Sequence, residues 1–186
     1  MAVVVVGGQT RGVGKTSVVC GLIAAMTEME WTAIKVSAHG HSAEVEVREE
    51  TSAGSEKDSA RYLAAGAVRS FYISVPEGGL AMATPRLKGI LAEARNAVVE
   101  STSVLAYLQP ELALVVVDPE ADEVKESLQQ CAQRFDAVIT LGSASLDGTL
   151  QELTAKPRFV VCPPEYGSEE LHTFVRNVLG EKSSAP

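Results

Sequence analysis

Gly8-Gln9-Thr10-Arg11-Gly12-Val13-Gly14-Lys15-Thr16-Ser17 is the stretch that decides how this 186-residue chain folds. An apolar, β-branched run, Val3–Val6, leads into it, and a helical pattern with Val18, Leu22 and Met26 four residues apart leads out. A strand, a glycine-rich loop and a helix in that order make the context of a phosphate-binding loop. Gly12 and Gly14 allow backbone angles that turn several N–H groups inward and leave room for phosphate oxygens. The helix that opens at the loop adds its free N–H groups and the positive end of its dipole. Lys15 reaches β- and γ-phosphates, and the Thr16 hydroxyl is suited to ligate Mg²⁺. The expected nucleotide contacts are therefore Gln9, Thr10, Arg11, Gly12, Val13, Gly14, Lys15, Thr16 and Ser17. The alternative is a glycine-rich turn that binds nothing, which Gly-x-Gly-Lys-Thr at the start of a first helix disfavours. The spacing departs from G-x-x-x-x-G-K-[ST]: Gln9 stands six before Lys15, and the nearest earlier glycine is Gly8.

Working outward, short apolar runs recur at Thr32–Val36, Phe71–Val75, Ala97–Val99, Leu112–Val117, Ala137–Leu141 and Phe159–Val161. They are near-continuous rather than alternating, as strands covered on both faces read. Helical patterns lie between them: Leu87, Ile90, Leu91 and Ala94; Val124, Leu128 and Cys131; and a last helix from Ser168 to Gly180. The alternation predicts an α/β fold, a doubly wound, mainly parallel sheet of about seven strands flanked by helices, in one domain over 1–186. Ser37–Ser59 is the exception, a long stretch that reads equally as a functional loop or as turn and capping chemistry. Within it Ala43–Arg48 alternates apolar and charged residues and is expected as a small exposed strand.

Ligands of parallel sheets sit beyond the carboxyl ends of the strands. Glu100 ends one strand and Asp118 another, and either suits the support of Mg²⁺ or its water. Glu100 is preferred because Ser101-Thr102-Ser103 follows it, whereas Asp118-Pro119 ahead of a helix reads well as a cap. Lys35, near the end of the second strand, is either a solvated edge lysine or a neutraliser of phosphate charge. His39-Gly40-His41 lacks a clear third metal ligand and reads better as a polar loop than as a metal site.

Composition narrows the partners. Lys and Arg number 16 against 24 Asp and Glu, a formal charge of −8, which disfavours nucleic acid and anionic membrane surfaces. No apolar stretch approaches the roughly 20 residues of a membrane helix. Met1–Val6 lacks a positive flank and runs into Gly7-Gly8, so it does not read as a signal peptide. Cys20, Cys131 and Cys162 are scattered and odd in number, which fits buried thiols in a reducing, cytoplasmic setting.

The chain resembles the molybdopterin-guanine dinucleotide biosynthesis protein B family of P-loop nucleotide-binding proteins. The resemblance rests on the phosphate loop through Ser17, on Ile34-Lys35 followed by His39-Gly40-His41, and on Lys57-Asp58-Ser59-Ala60-Arg61-Tyr62-Leu63-Ala64-Ala65-Gly66-Ala67. It covers roughly the first 70 residues. It implies the P-loop NTPase fold, binding and weak hydrolysis of GTP with Mg²⁺, a homodimer, and a partner in molybdenum-cofactor biosynthesis. The chain departs from the family in its sparser histidines, in Glu100-Ser101 where the family has glutamate-glycine, and in Thr140-Leu141-Gly142-Ser143 where a guanine-recognition motif would stand.

The Gly-five residues-Gly-Lys-Thr spacing also resembles dethiobiotin synthetase, an ATP-dependent ligase. That resemblance implies Thr16, Asp58 and Glu100 as Mg²⁺ ligands and Lys35 as a phosphate-contacting lysine. Lys15, Lys35 and Glu100 are thus the candidate catalytic residues, with GTP or ATP as the nucleotide. A third reading is a non-catalytic, nucleotide-dependent adaptor, consistent with the lack of an obvious second-substrate signature.

Overall fold

The computed structural model describes residues 1–38, 44–54, 57–143 and 148–183. All seven apolar runs form strands: β1 (Val3–Gly8), β2 (Trp31–Ser37), β4 (Arg69–Ser74), β5 (Asn96–Glu100), β6 (Leu112–Val117), β7 (Ala137–Leu141) and β8 (Arg158–Val161). An eighth, β3 (Glu46–Glu50), overlaps the C-terminal half of the expected Ala43–Arg48 strand and runs two residues past it; Ala43 lies outside the described residues. The sheet order is β3-β4-β2-β5-β1-β6-β7-β8. Every neighbouring pair is parallel except β3 with β4.

The near-continuous apolar runs follow from helices on both faces of this sheet. Successive side chains of a strand point to opposite faces. Val3 and Val5 of β1 accordingly pack with Leu87 and Leu91 of α3 (Leu80–Glu93) and with Leu128 of α4 (Glu126–Cys131). Val4 and Val6 pack with Val18, Val19 and Leu22 of α1 (Lys15–Ala25), Tyr62 of α2 (Asp58–Ala64) and Leu171 and Val175 of α5 (Glu169–Ser183). β3 escapes this rule as an edge strand. Glu46, Arg48 and Glu49 lie exposed, and charges along an edge discourage further pairing.

Three boundaries differ from expectation. α1 ends at Ala25, and Thr27–Met29 forms a separate 3-10 turn after Met26 leaves the helical region. α5 runs through Gly180 to Ser183; a glycine stops a helix by turning left-handed, and Gly180 is not among the positive-φ glycines. α4 begins only at Glu126, so Asp118 does not cap it.

Position of the site follows from topology. β5 and β6 are consecutive in the chain yet flank β1 on opposite sides, so the connections diverge there. Crevices at such switch points, beyond the strand carboxyl ends, are where this architecture places ligands.

Candidate functional site

The glycine-rich loop leaves β1 under tight control. The Gly8 N–H donates to Thr102 Oγ1 at 2.9 Å, and the Thr102 hydroxyl donates back to the Gly8 carbonyl at 3.3 Å. Gln9 is 2% exposed, and each of its polar groups is engaged. Its N–H donates to the Val116 carbonyl and its own carbonyl accepts from Lys125 N–H. Its side-chain Nε2 donates to the Ala121 carbonyl at 2.8 Å, while Oε1 accepts from Asp118 N–H at 2.9 Å. The unusual loop spacing is absorbed here: Gln9 prolongs the strand and latches the loop to the segment after β6. Thr10 to Gly14 then make the free turn. Gly12 and Gly14 adopt φ of +82° and +93°, in the left-handed region that favours glycine. Gly14 precedes α1, and Lys15 Nζ arches back to donate to the Thr10 carbonyl at 2.9 Å.

Beside the loop, four elements bring four side chains together. Parallel pairing sets Lys35 of β2 opposite Glu100 of β5, and Glu100 opposite Val6 of β1. Glu100 is buried at the last position of its strand. Its Oε2 accepts from Thr16 Oγ1 at 2.7 Å and from the hydroxyl of Tyr62, and its Oε1 accepts from Lys35 Nζ at 3.0 Å. Lys35 Nζ also donates to Asp58 Oδ2 and lies 3.4 Å from Thr16 Oγ1. Asp58 opens α2, and its second oxygen faces Arg61, whose guanidinium donates to Ser17 Oγ at 3.0 Å. Ser17, at the end of the expected loop contacts, is thereby tied to α2.

The electrostatics are those of a crowded, half-desolvated charge cluster. Burial lowers the affinity of the Lys15 ammonium for its proton, with Lys35 adding to the effect and Glu100 and Asp58 opposing it. Lys35 is also penalised by burial, but the Glu100 charge and the hydrogen bonds to Asp58 and Glu100 outweigh it and hold its pKa above the ordinary lysine value. Burial, then the negative charge of Glu100, push the Tyr62 hydroxyl well above its usual range, so it acts as a donor. Lys125, next to the Gln9 latch, is pulled to about 8 by burial and by Lys15.

Asp118 stands apart. Its Oδ1 accepts from Glu120 N–H at 3.0 Å, closing a turn, and no bond joins it to Lys35 or Thr16. His39 and His41 lie outside the described residues. Among the described residues no group of three or more His, Cys, Asp or Glu is placed to hold a metal. The oxygen donors that do converge, one hydroxyl and two carboxylates around the Lys35 ammonium, are the hard ligands that suit Mg²⁺ completed by phosphates and water. The residues present fit that ion.

Four contributors stand outside the expected site residues. Tyr62 was within reach, because it stands four residues after Asp58 and so shares its helical face. Thr102 and Lys125 are brought in by sheet order. Tyr166, from the segment after β8, covers Gly14 so closely that a Cβ there would lie 2.8 Å from its ring. No local pattern announces that contact.

No protein-family model matches the chain, and no curated protein matches it in sequence. Its fold is nevertheless shared. HypB from Helicobacter pylori, solved in complex with nickel, superposes with a TM-score of 0.56 at 15% identity, over 98% of this chain and 86% of that one. LpxK from Aquifex aeolicus, solved in complex with ATP, gives 0.55 at 17% identity, over 86% of this chain and 53% of LpxK. At such identities the likeness concerns the fold alone. The sheet order and strand–loop–helix entry place the chain in the α/β fold of the P-loop NTPases.

Proposed function

We propose that the chain binds a nucleoside triphosphate with Mg²⁺ at its glycine-rich loop and hydrolyses it slowly, as a GTP- or ATP-dependent protein. The observation that carries this reading is the meeting of Thr16, Lys35, Asp58 and Glu100, from four separate elements, beside the loop. Folding alone gives no reason to bury a glutamate at a strand end among two lysines and two hydroxyls; a phosphate-and-cation site does.

Thr16, with Asp58 and Glu100 directly or through water, would hold Mg²⁺, whose part is to neutralise and orient the β- and γ-phosphates. The backbone from Thr10 to Ser17 cradles the phosphates. Lys15 leaves the Thr10 carbonyl to meet them, and Lys35 neutralises the charge that grows on the transferring group. Gln9, with its amide engaged, shapes the loop through its latch and contributes by position. Tyr62 holds the Glu100 carboxylate in place, and Tyr166 packs over Gly14 of the loop.

In this reading the chain works like the molybdopterin-guanine dinucleotide biosynthesis protein B family, as a cytoplasmic homodimer with a molybdenum-cofactor biosynthesis protein as its partner. The loop spacing and the clustering of Thr16, Asp58 and Glu100 support a second reading, a dethiobiotin-synthetase-like ligase. Phosphate release separates them. Slow release from GTP or ATP alone, unchanged by diaminopelargonic acid and bicarbonate, supports the first. Release from ATP that depends on both supports the ligase, and no release under any condition contradicts hydrolysis.

A further inference from the structure

Among the described residues, Lys35 is the cation that bridges Glu100, Thr16 and Asp58, while Arg61 faces the second oxygen of Asp58 from outside. Lys35 Nζ has three protons, and three oxygens take them: Glu100 Oε1 at 3.0 Å, Thr16 Oγ1 at 3.4 Å and Asp58 Oδ2. These are the same three side chains that suit Mg²⁺. An ion shared among them, or the water shell of such an ion, needs the space that the ammonium fills. Two cations cannot share that point, because both carboxylates together balance only one of them comfortably in a half-buried setting. The Lys35 side chain is 20% exposed and that of Glu100 only 3%, so the Glu100 charge has little water to fall back on. Some cation must remain with it.

We propose that Lys35 is an exchangeable internal cation: it holds the magnesium ligands when nucleotide is absent, and yields them when phosphates arrive. The inference rests on the Mg²⁺-nucleotide reading of the site and adds an order of events to it. The long stem of a lysine lets its head move by several ångströms while its backbone stays in the sheet. Incoming phosphates supply a new anion beside β2, the ammonium shifts to it, and the freed oxygens take the divalent ion. Metal alone offers no such compensation, since displacing Lys35 without phosphate strands the ammonium in a half-buried crevice. Divalent metal therefore enters with nucleotide and not before it. The exchange breaks the hydrogen bonds and ion pairs of Lys35, forms new ones to phosphate and lets the freed oxygens ligate the divalent ion or its water; Lys35 keeps its proton throughout.

The test is Mn²⁺ binding without nucleotide, read from the electron paramagnetic resonance of the free ion. Wild-type protein should take up little Mn²⁺ at concentrations where Lys35→Met binds it with at least tenfold higher affinity. Lys35→Gln, whose amide still hydrogen-bonds the cluster, should gain in the same direction, and Lys35→Arg, which keeps the charge, should not. Adding Glu100→Gln to Lys35→Met should remove the gain. In equilibrium dialysis, wild-type protein should retain Mn²⁺ beyond the amount held by ATP or GTP in the protein-free compartment. Folded Lys35→Met and Lys35→Gln proteins that bind Mn²⁺ no better than wild type would overturn the exchange, as would tight Mn²⁺ binding by nucleotide-free wild type. Failure of the underlying reading looks different: wild type would then bind neither nucleotide nor Mn²⁺ in its presence.

Discussion

Glu100 divides two oxygens among three donors, and its role turns on what remains when its charge is removed. Thr16, Tyr62 and Lys35 all point at it, so Glu100→Gln keeps an acceptor for two of them and loses the anion that balances Lys35. The phosphates are held mainly by Lys15 and backbone N–H groups, which the substitution leaves in place. Nucleotide binding should therefore change little, while turnover falls by roughly 10- to 100-fold, the usual scale for residues that orient a metal's surroundings. Asp118→Asn retains the Oδ1 that accepts from Glu120 and should leave turnover near wild type. Single-turnover rates for the two variants decide the matter, and the reverse pattern would mean the wrong carboxylate has been assigned. At this scale the sequence is a partial guide. Glu100 and Lys35 are legible because strand ends point at the site, and Asp58 and Thr16 because they sit in recognisable motifs. The full engagement of Gln9 is not legible, since both ends of its amide bind a segment more than 100 residues away.

Elements were legible wherever burial on both faces wrote the same apolar pattern twice. β1, β2 and β4 to β8 fall where the Val-, Ile- and Ala-rich runs lie. β3 was displaced because a half-exposed edge strand has only one neighbour to fix its register. Gly180 misled because a glycine marks a helix end only when it turns left-handed. β1 itself carries a further constraint that no periodicity reveals. At Gly7 an added Cβ would come within 2.6 Å of the Phe135 ring and 3.1 Å of Thr102 Oγ1. Phe135 is fully buried just before β7, so its ring has nowhere to retreat. Gly7→Ala should thus lower stability by about 1–3 kcal/mol, the range for overfilling a packed core. Urea unfolding should show an earlier midpoint, partly restored by Phe135→Leu in the same chain. An unchanged midpoint for Gly7→Ala alone would show that the β1–β7 region is looser than its packing indicates.

Across the whole molecule, two apolar layers clamp a sheet whose central strand delivers the loop, and Lys35, Asp58 and Glu100 meet beside it. None of the described helices is long and apolar enough to cross a membrane. The chain's net charge of −8 makes an anionic ligand an unfavourable partner in general, which is why local cations matter. Lys15, Lys35 and Lys125 supply them around the loop, two of them with their proton affinity reduced by burial and so ready to gain from a phosphate. The central claim, that this architecture is a nucleotide site, is tested most directly by titration calorimetry with Mg²⁺ and ATP or GTP on wild type and Lys15→Ala. One nucleotide should bind wild type at one site per chain, and Lys15→Ala should bind it at least about tenfold more weakly, as expected for a lost charge-assisted hydrogen bond. Absence of binding by both nucleotides, or equal affinity in Lys15→Ala, would contradict it.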